Sequence, residues 1–270
     1  MHRYLLKFGP VTIYSYGAML ALAFVAGTMF AVSRASRAGL DKNKIVDLIF
    51  YILLSSLLGA RFLFVALNWE YYSGHIPEIF QIWEGGLVFY GGFILALLTS
   101  VWFIKRNRLS FGKVLDVLAP STALGLILGR LGCFLNGCCW GKISFKWGIS
   151  FPAKDNPPVF AQQLADNLIS PGAFCSLPVI PAQLYESFAC LVIFFILIFA
   201  GKFKRFDGFL FWLFALLYSA FRFTIEFFRY YDTNFIFGFL TVSQIISAVL
   251  FILSAAVISV KNLKNRPSGA

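Results

Sequence analysis

This sequence is short of histidine and of acidic residues. Its 270 residues include two histidines, His2 and His75, and 12 Asp and Glu against 23 Lys and Arg. Charged residues make up only 13% of the chain, hydrophobic ones 59%, and the mean hydropathy is +0.78. A soluble domain carries about 25% charged residues, so that class is excluded and the chain reads as an all-α polytopic membrane protein. Neither histidine falls in an apolar run, which leaves His75, in the 68–84 connection, as the sole candidate for an imidazole base. Solenoid repeats, low-complexity tracts and a dividing linker are also missing, so residues 1–270 read as a single transmembrane domain. Inverted repeat halves, the mark of many transporters, are missing too.

What is there is a series of long apolar runs. A bilayer core of roughly 30 Å needs about 20 such residues per helix, and seven spans can be drawn: 13–32, 45–67, 85–104, 114–135, 183–200, 208–228 and 239–260. The first follows a short segment containing Pro10, with no small-residue cleavage site after it, and is read as a retained helix. Arg34, Arg37, Lys42 and Lys44 follow the first span; Lys105, Arg106, Arg108 and Lys113 the third; Lys202, Lys204 and Arg205 the fifth; Lys261, Lys264 and Arg266 the seventh. These 14 of the 23 basic residues occupy every second connection. The positive-inside rule then predicts a cytoplasmic C-terminus, an external N-terminus and an external 136–182 loop. Because the net charge of +11 is scattered over short loops and forms no single patch, no nucleic-acid partner is expected.

Ionisable residues inside the spans are few and costly, which makes them functional candidates. Those read as lying at membrane depth are Arg61, Arg130, Glu186, Arg222 and Glu226. Arg222 and Glu226 are four apart and can pair on one helix face. Three arginines against two carboxylates leave a surplus positive charge, which either serves packing alone or waits for an anion such as a phosphate. Arginine suits a phosphate because its planar fork donates two hydrogen bonds and stays ionised when partly desolvated. Glycines accompany these charges, as the doublets Gly85-Gly86 and Gly91-Gly92 and as Gly125, Gly129 and Gly132 at helical spacing, suited to close helix contact or to a backbone turn at a ligand.

The segment GRLGCFLNGCCWGK at 129–142 resembles the signature G-R-x-G-N-F-x-N-x-E-x-x-G of the prolipoprotein diacylglyceryl transferases. The resemblance extends through Tyr16-Gly17, GARFLFVALNW at 59–69, GGLVFYGG at 85–92, PAQLYES at 181–187, FRFTIEFFR at 221–229 and SQIIS at 243–247. It implies a multi-pass enzyme of the bacterial cytoplasmic (inner) membrane. Such an enzyme moves the diacylglyceryl group of phosphatidylglycerol, a membrane lipid, onto the lipobox cysteine of prolipoprotein signal peptides and releases glycerol phosphate. No cofactor and no metal are implied. By the same resemblance Arg130, Arg222 and Tyr90 are the catalytic positions. Substrate binding would fall to Arg130, Asn136, Gly141, Tyr16, Arg61, Tyr185, Glu186, Glu226 and Arg229.

Three positions depart from the family pattern. The histidine of its H-G-G element is Tyr90, the asparagine after Arg130-Leu131-Gly132 is Cys133, and the signature glutamate is Cys138. A second reading follows, a relative that binds phosphatidylglycerol but uses another acceptor or does not catalyse. Cys133, Cys138 and Cys139, with Cys175 in the same loop, suit small packing residues, a disulfide such as Cys139 to Cys175, active-site thiols or metal-bound thiolates. The spacing C-x4-C-C is not a recognised zinc pattern. Cys190, inside the fifth span, reads as a packing residue.

Overall fold

The protein is described here by a computed structural model covering residues 3–8, 11–82, 85–230, 235–236 and 240–264; His2, Pro10 and Arg266 lie outside the described residues. Among these residues seven helices are long and apolar enough to cross a membrane. They are α1 (Ser15–Arg37), α2 (Lys42–Leu67), α4 (Phe89–Arg106), α5 (Phe111–Asn136), α7 (Ala182–Ala200), α8 (Phe209–Ile225) and α9 (Val242–Lys264), with α3 (Trp69–Tyr72) and α6 (Pro158–Ala165) as short helices in connections. Strands β1 (Tyr4–Phe8) and β2 (Val11–Tyr14) form an antiparallel hairpin ahead of α1. Large apolar side chains such as Phe62, Phe89, Phe195 and Ile252 are exposed along the long helices. Helices apolar on most faces are the form a chain takes when lipid replaces water around it.

The chain forms two compact units, Ala31–Val114 and, from two segments, Met1–Phe30 with Leu115–Ala270. In the 31–114 unit α2 packs closely on α4 because facing residues have no side chain. A Cβ on Gly59 or Gly91 would run into the other's carbonyl, and one on Gly92 would sit 2.7 Å from the Ser56 oxygen. This is the packing role of small residues in membranes. Gly85 and Gly86 both adopt positive φ, which explains why α4 starts at Phe89 and not at 85. Arg61 is buried beneath this turn. Its Nε donates to Ile79 O at 2.7 Å, Nη1 to Gly85 O at 3.0 Å and Gly86 O at 3.3 Å, and Nη2 to Glu78 O at 2.5 Å. The guanidinium also lies over the Phe64 and Tyr72 rings. Arg61 therefore clamps the 78–86 connection. Tyr90 is exposed at the start of α4, with its ring against Phe89. His75 is exposed and stacks on Tyr71.

The other unit holds α5, α7, α8 and α9. α8 packs against α7 and α9, and Ala123 of α5 shares a buried cluster with Ile193 and Leu197 of α7 and Leu210 of α8. Asp116 fixes the start of α8. Its buried carboxylate accepts the amides of Gly208 and Leu210, each at 2.8 Å, and takes Lys204 Nζ at 2.9 Å. This is an N-cap supplied from another helix. The 136–182 connection, polar and proline-rich in sequence, is folded around its own small core of Phe151, Val159 and Val179, against which Phe134, Trp140 and Ile143 pack.

Candidate active site

Helix α8 places Tyr218, Arg222 and, one turn on, Glu226 at four-residue intervals, so the three share one face. Opposite them α7 presents Glu186 and α5 presents Arg130. Glu186 is the hub, with its side chain only 2% exposed. Its Oε1 takes Arg130 Nη2 at 2.7 Å and the Tyr218 hydroxyl at 2.9 Å, and its Oε2 faces Arg222 Nη1 at 3.8 Å. Arg222 Nη2 reaches Glu226 Oε2 at 3.1 Å. The other oxygen of Glu226 accepts the Thr241 hydroxyl at 2.9 Å, and Gln244 of α9 braces Thr241 through two further bonds. The predicted pairing of Arg222 with Glu226 is present, and Glu186 ties that pair to Arg130.

One donor in this network has no acceptor. Arg222 Nη1 is buried without a hydrogen-bond partner, a state that costs about 1–3 kcal/mol or more for a charged group. The charge count also changes. Arg61 lies in the 31–114 unit with its donors on main-chain carbonyls, so the charges paired in this network are Arg130 and Arg222 against Glu186 and Glu226, while the backbone of Arg229 bridges to Gly141.

The end of α5 shows what the glycine-rich signature does. Gly137, at φ +73°, closes the helix: its N–H bonds Phe134 O at 3.2 Å and the Cys138 N–H bonds Cys133 O at 3.1 Å. This pair of bonds is a Schellman cap, and it brings residues 133 and 138 together. Cys139 follows, itself at φ +62°. The sulfurs of Cys133, Cys138 and Cys139 all lie within 4.8 Å of one another. Hydrogen bonds from the Cys133 and Cys138 thiols, with the charges of Arg229 and Arg130, hold the Cys139 thiol well below its usual pKa. All five cysteines are free, and Cys175 is exposed, so the structure contains no Cys139–Cys175 disulfide. Cys190 is fully buried in α7, as a packing residue is.

Asn136 ends α5 beside Cys138 and is within hydrogen-bonding reach of its thiol. Gly141 threads between two segments: its N–H bonds Ile180 O at 2.8 Å, and a Cβ there would lie 2.5 Å from Phe228 O. Tyr16, at the start of α1, packs over Gly132. Tyr185 is exposed on α7; the phenol that reaches Glu186 belongs to Tyr218. Sequence reasoning missed Tyr218, although its spacing from Arg222 carried the signal. It also missed Thr241, Gln244 and Gln183, whose Nε2 donates to Cys138 O at 2.6 Å.

The model of the family described as prolipoprotein diacylglyceryl transferase matches residues 3–260. Relatives named phosphatidylglycerol–prolipoprotein diacylglyceryl transferase include one from Geobacillus kaustophilus, 34% identical over 98% of this chain and 94% of that protein. One from Xanthomonas oryzae pv. oryzae is 36% identical over 93% and 88%. One from Geobacter sulfurreducens is 32% identical over 92% and 90%. With a match this long, and with the signature arginine tied into a buried charge network, the chain belongs to the prolipoprotein diacylglyceryl transferase family.

Proposed function

We propose that the Arg130–Glu186–Arg222–Glu226 network is where this membrane enzyme transfers the diacylglyceryl group of phosphatidylglycerol to a prolipoprotein cysteine, releasing glycerol phosphate. The observation that carries this reading is the buried Nη1 of Arg222, which makes no hydrogen bond and stands 3.8 Å from the same Glu186 that holds Arg130. A lipid phosphate oxygen supplies the missing acceptor.

In the reaction the acceptor thiolate attacks the glyceryl carbon next to the phosphate ester. A carbon–sulfur bond forms, the carbon–oxygen bond breaks, and its electron pair leaves with the phosphate oxygen. Negative charge therefore grows on the group that Arg130 and Arg222 hold, and only interactions that strengthen as it grows accelerate the step. Glu186 keeps both guanidiniums aimed, Tyr218 and Thr241 satisfy the carboxylates, and Arg229, Asn136 and Gly141 shape the mouth beside the phosphate. Tyr16 and Tyr185 flank the acyl chains. Arg61 and Tyr90, both in the 31–114 unit, are carried over from the family pattern alone, Arg61 acting through the 78–86 connection that it clamps and Tyr90 standing where the family has a histidine. The acceptor is the lipobox cysteine of a signal peptide, and the enzyme sits in the bacterial inner membrane with its N-terminus and 136–182 loop outside and its C-terminus in the cytoplasm. Cytoplasmic nucleic acid is no partner.

The test is purified protein mixed with phosphatidylglycerol and a lipobox peptide. A thioether product and one equivalent of glycerol phosphate are expected, both abolished in Arg130→Ala and in Arg222→Ala. Binding of phosphatidylglycerol with no thioether in the native protein refutes the transferase reading, and full activity in both variants refutes the site.

A further inference from the structure

The thiol cluster at the end of α5 is left unused by this chemistry. Three sulfurs from the seven residues 133–139 converge to within 4.8 Å, and the convergence is built into the backbone by the Schellman bonds after Asn136 and by the left-handed φ of Cys139. Left-handed φ is unfavourable for a residue with a Cβ, so this conformation is sustained by its surroundings. Gln183 grips the Cys138 carbonyl, and the Gly141 N–H, two residues on from Cys139, is fixed to Ile180. Cys133 is buried and the other two are half-buried, which leaves an approach from one side.

We propose that Cys133, Cys138 and Cys139 form a three-thiolate site for one monovalent copper ion. Soft sulfur donors select copper(I) or zinc over harder cations. Zinc completes a tetrahedron with four ligands, and among the described residues no histidine, aspartate or glutamate joins this group. Copper(I) is content with three thiolates in a plane. At metal–sulfur distances of about 2.3 Å the sulfurs of such a site stand about 4 Å apart, so the cluster needs to close by less than 1 Å. Binding displaces the protons that the thiols still carry and changes no oxidation state. The product carries two negative charges, and the positive groups that offset them are present: Arg229 and Arg130 both act on Cys139. Arg130 also serves the proposed phosphate site, so bound copper and lipid phosphate oppose each other.

The experiment titrates the full-length protein in detergent, without oxygen and without lipid, with copper(I) against a competing chelator, following thiolate-to-copper charge-transfer absorption. One copper per chain is expected. Cys133→Ser, Cys138→Ser and Cys139→Ser should each lose more than the roughly hundredfold that an outer-shell substitution costs, while Cys175→Ser and Cys190→Ser bind as the native chain does. Thermal melting of each variant separates a lost ligand from a lost fold: a Ser variant that melts with the native chain yet binds copper equally well overturns the proposal. So does a native chain that binds none with five free thiols, or one isolated with two thiols fewer that reductant restores, since the cluster is then a disulfide. The readout needs no substrate, so a chain that binds copper but makes no thioether fails only as a transferase.

Discussion

Replacing Glu186 by glutamine removes one charge from the centre of the network without changing its shape. The side chain is 2% exposed and meets Arg130, Tyr218 and Arg222, whose arginines are 19% and 16% exposed. Breaking a buried ion pair by neutralising one partner costs about 3–5 kcal/mol. At about 2–4 °C per kcal/mol for a chain of this size the unfolding midpoint should fall by roughly 10 °C. Lipid affinity should move the other way. An added positive charge about 5 Å from a phosphate oxygen, at an effective dielectric near 20, is worth about 3 kcal/mol, close to a hundredfold tighter binding. Turnover should nevertheless fall, because the guanidiniums lose the group that aims them. The assay pairs differential scanning fluorimetry in detergent, with and without phosphatidylglycerol, with kcat and KM for thioether formation. A Glu186→Gln protein that melts with the native chain and binds lipid no tighter refutes the role given to Glu186.

Asp116→Asn should cost about 1–2 kcal/mol through the lost α8 cap while leaving kcat unchanged, read by thermal melting beside the transferase assay. The same cap predicts a pH effect. Burial opposes the charge on Lys204, but hydrogen bonds to Asp207 and Asp116 outweigh it and raise the lysine's pKa above 10.5. Its contribution is therefore complete below pH 10.5 and lost as pH rises through the folded value, so an alkaline melting series should show a loss that Lys204→Met lacks. Gly141→Ala should displace the Phe228 and Ile180 contacts and reduce expression of folded protein, measured by gel filtration in detergent. Tyr90→His restores the family's usual residue and should raise kcat at pH 7, because an imidazole near pKa 6.5 is a better proton acceptor than a phenol near 10; a slower Tyr90→His enzyme refutes the role given to Tyr90.

The spans were legible because lipid imposes a long, uninterrupted apolar run on every crossing. Their ends were less so, since backbone hydrogen bonding continues past the apolar boundary: α1 runs on to Arg37 and α9 to Lys264, beyond the predicted 32 and 260. The Arg222–Glu226 pair was legible from its four-residue spacing. Glu186 as a bridge to Arg130 was not, because it depends on how α5, α7 and α8 pack, and no local pattern encodes that. Arg61 illustrates the opposite error. A buried arginine counted as a spare charge turned out to satisfy the carbonyls of a glycine turn. The β1–β2 hairpin left no periodic signal because it is short, and the small core of the 136–182 loop left none because isolated bridges hold it.

Glu186 also sets a threshold for what can enter. It occupies Arg130 before any lipid arrives, so an incoming anion must outcompete a carboxylate already in place. Inorganic phosphate brings charge alone to that contest. Under the proposed function a phospholipid brings charge together with two chains whose burial favours the same position, so the resident carboxylate would act as a filter that rejects small anions and admits those with a lipid attached.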